Sequence, residues 1–285
     1  MTADRGPSAP PRRPGSGLPV GDLLDTETMT VDLPVPTSAL AIGAHPDDIE
    51  FGAGATLAKW AASGCRIHHL ILTDGSKGSW DPDEDLHRLV AARQHECRRA
   101  AARIDAAGTD VDAVADVATD RVQFLGRVDG ELANGADDRR EVARVIRSVR
   151  PDVVLGHDPW RRYRLHPDHR AAGFLTLDAI VAARDPHFVP ELGLDPHRPS
   201  TLLLWEADLP NHVEGVSGFE VTKVEALLCH RSQLETTMGL APTHDANGAV
   251  PGPAGFTSQI EWQLAQHGAL AGLDSGEAFR LMDGL

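Results

Sequence analysis

Two short segments of this chain gather side chains that bind metals and move protons. One is Ala44-His45-Pro46-Asp47-Asp48; the other runs from His157 to His169 and ends in His166-Pro167-Asp168-His169. Together they hold four histidines and four aspartates. Imidazole nitrogens and carboxylate oxygens suit zinc, with another divalent transition metal as the alternative, and a hydrolytic site keeps one position open for water. His45 and Asp48 are three apart across a proline-containing turn, so both can point into one concavity. His166 and His169 are three apart at a helix start, where such residues share a face. The expected ligands are His45, Asp48 and His169, which leaves Asp47 and His166 free beside one ion per chain. That equipment suits amide hydrolysis. A divalent ion lowers the pKa of bound water from about 15.7 to about 7, on the order of 12 kcal/mol of hydroxide stabilisation at about 1.36 kcal/mol per unit. Asp47 would act as general base, and His166 would stabilise the oxyanion and supply a proton to the leaving amine.

Each segment alone has a plainer explanation. Two aspartates before a helix often cap it or meet its dipole, and His-Pro-Asp-His can be a surface turn. What sets them apart is position, because both follow predicted strands of one α/β chain. From Ser38 onward, short apolar runs alternate with longer helical stretches, the pattern of βαβ units around a mostly parallel sheet. Strands are predicted at 38–44, 67–73, 122–125, 153–156 and 201–205. Helices are predicted at 52–63, 86–107, 138–149, 169–183 and 222–234, with a Pro/Gly-rich loop at 243–255. In such sheets ligands collect beyond the carboxyl ends of the strands. Residues 1–37 are rich in proline and lack any apolar period, which predicts a flexible tail ahead of a single domain spanning 38–285. The tail has no apolar stretch suited to a secretion signal.

Composition narrows the partners. With 27 Lys+Arg against 42 Asp+Glu the formal charge is −15, which opposes nucleic acid as a default partner. The three cysteines, Cys65, Cys97 and Cys229, show no C-x-x-C spacing, so they read as reduced thiols of a cytoplasmic protein. No apolar run is long enough to span a membrane, and a homo-oligomer is compatible with the sequence. Most of the 14 histidines have no spacing partner. His68 and His69 alternate in a strand as packing or surface residues, and His230 reads as a hydrogen-bonding residue at a helix end.

The residues resemble the PIG-L/LmbE-like zinc-dependent N-acetylglucosamine deacetylases over roughly Ala39 to Gln233. The resemblance rests on Ala44-His45-Pro46-Asp47-Asp48 with Gly52, Thr73-Asp74-Gly75 with Gly78, Arg93 with Glu96, Leu125-Gly126 with Asp129-Gly130, Arg150-Pro151-Asp152-Val153-Val154, His166-Pro167-Asp168-His169 and His230-Arg231-Ser232-Gln233. It implies a Rossmann-like single domain with helices on both faces of the sheet. It also implies zinc on His45, Asp48 and His169, Asp47 as base, His166 as the acid or electrostatic histidine, and Arg93 and Asp129 as contacts to sugar hydroxyls. The expected substrate is a small-molecule N-acetylglucosaminyl or related amino-sugar conjugate. One departure stands out: the family places an aromatic two residues before the first histidine of His-Pro-Asp-His, whereas Tyr163 lies three before His166. Tyr163, Arg162 and Arg164 therefore all remain candidates for contacting the oxyanion, and the arginines hint at an anionic substrate group. His157 and Asp158 are candidates for orienting a ligand. The loop Asp74–Asp85 could close over substrate, with Trp80 offering a flat apolar face.

Rival readings fare less well. A dinucleotide site fails because Gly52-Ala53-Gly54-Ala55-Thr56-Leu57 lacks the third glycine of the fingerprint, and Asp47-Asp48 would repel a pyrophosphate. A non-catalytic sugar-binding module would not need Asp47 and all three ligands. An amidase acting on a larger thiol, lipid or antibiotic conjugate is the runner-up among enzymes.

Overall fold

The computed structural model describes residues 29–107, 120–240 and 254–285. Eight strands form one sheet among them: β1 (Thr30–Val31), β2 (Ser38–Gly43), β3 (Arg66–Thr73), β4 (Val122–Arg127), β5 (Val153–His157), β6 (Thr201–Trp205), β7 (His212–Gly215) and β8 (Gly276–Asp283). Their order is β1-β7-β8-β6-β5-β2-β3-β4. All pairings are parallel except those of β8, which runs antiparallel between β6 and β7. The helices are α1 (Asp48–Ala62), α2 (Leu86–Asp105), α3 (Ala136–Val149), α4 (Pro167–Arg184), α5 (Glu220–Leu227) and α6 (Ala254–Ala269).

The central strands are apolar on both sides because helices cover both faces. Within β2, Ala39 and Ala41 pack toward α1 and α2, with Ile49, Leu57 and Ala100. Leu40 and Ile42 pack the other way, against Val142, Val145 and Leu175 of α3 and α4. The small residues of β2 face the more crowded side, where Trp60 and Trp205 are also buried. The chain runs outward from β2 through β3 to β4, then returns to place β5 on the other side of β2. That reversal opens a crevice between the carboxyl ends of β2 and β5, where Ile42 pairs with Gly156.

The five predicted strands are the contiguous run β6-β5-β2-β3-β4 that ends at one edge of the sheet, but both ends of the chain depart from expectation. Part of the segment expected as a tail is built into the fold: Thr30–Val31 pairs with β7, and Asp32 accepts from the ammonium of Lys59 at 2.8 Å. Residues 1–28 lie outside the described residues, as does most of the expected 243–255 loop. Helix α6 and strand β8 follow that loop. The predicted start of the first helix at residue 52 is also late, since α1 begins at Asp48 and continues past a break at Ala53 (φ −147°, ψ 17°). Gly52 sits at that break because a Cβ there would fall 2.4 Å from the Trp205 ring.

Candidate functional site

The carboxyl ends of the strands converge on a cavity of about 470 Å³. His45 leaves β2, Asp129 follows β4, His157 ends β5, and α4 begins at the His-Pro-Asp-His segment with His166 as its N-cap and Pro167 in its first turn. Pro suits that first turn because its missing N–H would have no helical partner. Asp47 caps α1 in the left-handed region (φ 108°), a conformation uncommon for a residue with a Cβ but tolerated best by Asp and Asn.

His45, Asp48 and His169 meet at the base of the cavity. His45 Nδ1 lies 3.2 Å from His169 Nε2 and 3.3 Å from Asp48 Oδ2, and His169 Nε2 lies 3.3 Å from Asp48 Oδ1. Donors held about 2.0–2.1 Å from a tetrahedral zinc are separated by about 3.3–3.4 Å, a spacing that the two imidazole nitrogens share with each other and that each shares with one of the two Asp48 oxygens. For His45 the proton position agrees. His45 Nε2 has carboxylate oxygens of Asp129 and Asp168 at 3.1 and 3.2 Å, which places its proton there and leaves Nδ1 a free lone pair. His169 is pulled down to about 3, chiefly by burial and further by His157 and Arg164 against the opposing pull of Asp48, so it is a neutral ligand-type imidazole. Asp48 is held well below the usual carboxylate range: burial pushes it up, but His169, His157 and His45 outweigh that.

His157 also comes within 3.2 Å of Asp48 Oδ2 through Nε2. It belongs to a second donor group with Asp48 and His169, while His45 joins His166 with His169 and, separately, Asp129 with Asp168. The Trp205 indole N–H donates to His157 Nδ1 at 3.1 Å. His157 Nε2, which also lies 3.3 Å from the Ala44 backbone N–H, faces Asp48, so the ring holds that carboxylate in place.

Asp47 lines the same cavity and is 5% exposed. Burial, reinforced by neighbouring Asp48, pushes its carboxyl up to about 6, while Arg93 and His230 pull it back. It is thus ionised at neutral pH yet far more basic than an ordinary aspartate. Arg93 reaches it at 3.3 Å through Nη2, and the same guanidinium donates to the carbonyls of Pro46 at 2.8 Å and Gly75 at 2.9 Å. Gly78 is required beside it, since a Cβ there would fall 2.3 Å from Arg93 Nη1. Behind these groups Glu50 and His230 are fully buried and 3.4 Å apart. His166 accepts from the Asp168 backbone N–H at 3.3 Å through Nδ1, so its proton sits on Nε2 when neutral. Burial and the nearby His45 lower its pKa.

The structure rearranges the expected substrate contacts. Arg93 and Asp129 line the cavity, but most of their polar capacity is already used: Arg93 clamps two loops, and Asp129 joins His45 Nε2 and the Lys77 backbone N–H. Tyr163 does not reach the cavity. Its backbone turns through a left-handed φ of 62° and its side chain projects outward, 93% exposed. Arg164 lines the cavity instead, against His169 and 2.5 Å from Glu206. Arg161 also pairs with Glu206, and Arg162 with Asp208. All three arginines therefore have carboxylate partners within the chain, which removes the argument for an anionic substrate group. Asp158 makes only a local turn, accepting from the Trp160 N–H.

Sequence reasoning assigned no role to Asp168. It is fully buried and accepts from His45, Gly130 N–H and Leu132 N–H, tying His-Pro-Asp-His to the loop after β4. Its place inside the motif was the available signal. Glu206 was missed for want of any, since it follows β6 with no recognisable spacing partner.

The fold and site define an α/β domain with a buried His/Asp cluster at its topological switch point, able to hold a divalent metal. The profile of the GlcNAc-PI de-N-acetylase (PIG-L) family matches residues 40–180. The chain is 35% identical over 197 residues to diacetylchitobiose deacetylase of Thermococcus kodakarensis, covering 68% of this chain and 69% of that one. It is 32% identical over 173 residues to 1D-myo-inositol 2-acetamido-2-deoxy-alpha-D-glucopyranoside deacetylase 2 of Saccharopolyspora erythraea, covering 54% of this chain and 60% of that one. Among solved structures, N,N'-diacetylchitobiose deacetylase from Pyrococcus horikoshii matches with a TM-score of 0.72 and 26% identity, over 87% of this chain and 85% of that one. The chain belongs to the PIG-L family. Its relatives named here are deacetylases, and no described helix is long and apolar enough to cross a membrane.

Proposed function

We propose that this protein is a zinc-dependent N-deacetylase that hydrolyses the acetamide of an N-acetylglucosaminyl conjugate. The observation that carries this reading is the approach of His45 Nδ1 and His169 Nε2 to 3.2 Å, each 3.3 Å from one of the two Asp48 oxygens, in the cavity that Asp47 also lines. The relatives support the substrate class, because the named substrates share an acetylated glucosamine and differ in what it is attached to. Nitrogen and carboxylate donors favour zinc among divalent ions without excluding its neighbours.

The bound ion would supply Lewis acidity to the acetyl carbonyl and lower the pKa of the attacking water. Asp47, held at about 6 by burial, takes the water's proton as general base. Arg93 fixes that carboxylate and keeps it from turning into the loop. His166 presents Nε2–H for the oxyanion and then for the leaving amine. Arg164 is the arginine placed to add positive charge at the same side of the cavity, a role that the outward Tyr163 cannot fill. Asp129 and Asp168 hold the His45 tautomer, and His157 holds Asp48. We assign the reaction to the cytoplasm, where all three cysteines, unpaired in the structure, would stay reduced.

Acetate release from a panel of N-acetylglucosaminides differing in aglycone tests the proposal. Turnover should vanish on chelation and return with zinc. Undiminished turnover in metal-free protein, or release from no member of the panel, would overturn it.

A further inference from the structure

The loops that follow β5 and β6 are tied together at one wall of the cavity. The first brings Arg161, Arg162 and Arg164, and the second answers with Glu206 and Asp208. Arg162 donates to Asp208 from its backbone N–H and from its Nε, each at 2.8 Å, with its side chain mostly in solvent. Glu206, by contrast, lines the cavity. Its carboxylate lies 2.5 Å from Arg164 Nη1 and 3.4 Å from Arg161 Nη1, and its backbone carbonyl accepts from Arg161 at 3.2 Å. Two residues of these loops hold left-handed backbones without being glycine, Tyr163 at φ 62° and Glu206 at φ 56°. Such conformations are costly and persist only where the surroundings hold them. The turn at Tyr163 sends that side chain outward and leaves its neighbour Arg164 lining the cavity.

We propose that Glu206 is a positioning residue for the deacetylation: it fixes Arg164 so that the guanidinium faces the carbonyl oxygen as negative charge develops there. The inference rests on the deacetylase reading and names the group that orients one of its parts. An untethered arginine has many rotamers, most of which would carry its charge away from an oxyanion. Here one Nη is held by Glu206 and the other lies against His169, on the ligand side of the cavity. The positive charge survives this pairing. Two guanidinium groups share one carboxylate, and of the two it is Arg164 that lines the cavity. Glu206 stays ionised, because burial pushes its carboxyl up but His157 and Arg164 outweigh that and hold it at about 2. Folding stability does not account for the arrangement, since partly exposed ion pairs contribute little. Placement does, because a displacement of about 1 Å in a reacting group can cost about 10²-fold in rate.

Guanidinium NMR and steady-state kinetics of the zinc-loaded protein provide the test, with the N-acetylglucosaminide of highest turnover as substrate. The two Nη groups of Arg164 should give separate signals, since a tethered guanidinium rotates slowly, and Arg164→Ala assigns them by their loss. Glu206→Gln should merge them. It should also lower kcat about tenfold with KM and zinc content unchanged. A methylphosphonamide analogue of the substrate, whose tetrahedral oxygens imitate the oxyanion, should weaken by the same factor. Glu206→Asp, which keeps the carboxylate, should recover part of the loss. Arg164→Ala should lower kcat about 10²-fold, and adding Glu206→Gln to it should lower kcat no further. Asp208→Asn removes the neighbouring tie without touching Arg164, so kcat should stay within about twofold. Merged Arg164 signals in the unsubstituted protein, an unchanged kcat in Glu206→Gln, a loss that adds to that of Arg164→Ala, or an equal loss in Asp208→Asn would overturn the assignment. Separate, Glu206-dependent signals in a protein that releases acetate from no acetylated amino sugar would leave the tether standing and sink the deacetylase reading.

Discussion

At the scale of single residues, Asp47 and Asp48 are adjacent in sequence and opposite in environment. Asp48 is surrounded by three imidazoles that hold it ionised, whereas Asp47 is pushed up to about 6 by burial and touches Arg93 alone among cations. One suits a ligand and the other a base, and this division is testable. Asp47→Asn keeps a side chain that tolerates the left-handed backbone, so it should retain zinc close to one per chain while kcat falls by about 10²–10⁴-fold. His169→Ala should lose the metal itself. Metal analysis of the two purified variants checks the pair, and equal zinc content in both would refute the assignment. Much of this cluster could be read beforehand, because ligand chemistry depends on residue type and short spacing. Asp129 and Asp168 were harder to place, since their oxygens meet His45 across 84 and 123 residues of chain. Only the packed fold shows that both act on an imidazole.

At the scale of elements, the central strands were legible because burial on both faces makes each a short continuous apolar run. The sheet's far side was not. Strand β8 reads Gly-Glu-Ala-Phe-Arg-Leu-Met-Asp, and its Glu277 looks like a solvent-facing residue until the break in α1 is seen. There the Ala55 and Thr56 N–H groups, released from the helical ladder by Ala53, donate to Glu277 at 3.1 and 2.7 Å. Lys223 completes the arrangement, 2.5 Å from Glu277 and 2.7 Å from the Phe51 carbonyl. The C-terminal strand thus caps the second half of the helix that begins at Asp48. Removing one partner of a buried pair leaves the other uncompensated, so Glu277→Ala should cost about 3–5 kcal/mol in urea unfolding; a cost below about 1 kcal/mol would show that water replaces the carboxylate. Strand β3 predicts a pH effect. His68 is pulled down to about 4, by burial first and then by Arg121, Arg66 and His69. Its folded-state pKa lies below the unfolded value near 6.5, so its contribution is fully present above about pH 6.5 and lost as pH falls toward 4. Asp105, raised to about 6 by burial, contributes in the opposite sense across part of that window. Comparing His68→Gln with the unsubstituted protein at pH 7.5 and 5 isolates the histidine. The variant should lose less stability on acidification, and equal losses would contradict the assignment.

For the whole molecule, a net charge of −15 identifies no ligand, but it frames what the metal site must do. The cluster draws on the ends of β2, β4 and β5 and on the first turns of α1 and α4, elements that meet only when the sheet is complete. An unfolded chain offers no such geometry, so metal binding and folding are thermodynamically linked. At free zinc one hundred times its dissociation constant, the native state gains about 2.7 kcal/mol. At about 2–4 °C per kcal/mol for a chain near this size, that is a rise of about 5–10 °C in the thermal midpoint. Asp47→Asn should show the full rise, since its carboxylate is not a proposed donor, whereas His169→Ala should show little. Thermal scans of chelated and zinc-loaded protein, with both variants alongside, would separate a cluster that joins the two halves of the sheet through an ion from one packed as tightly without it. A midpoint indifferent to zinc in the unsubstituted protein would exclude the first.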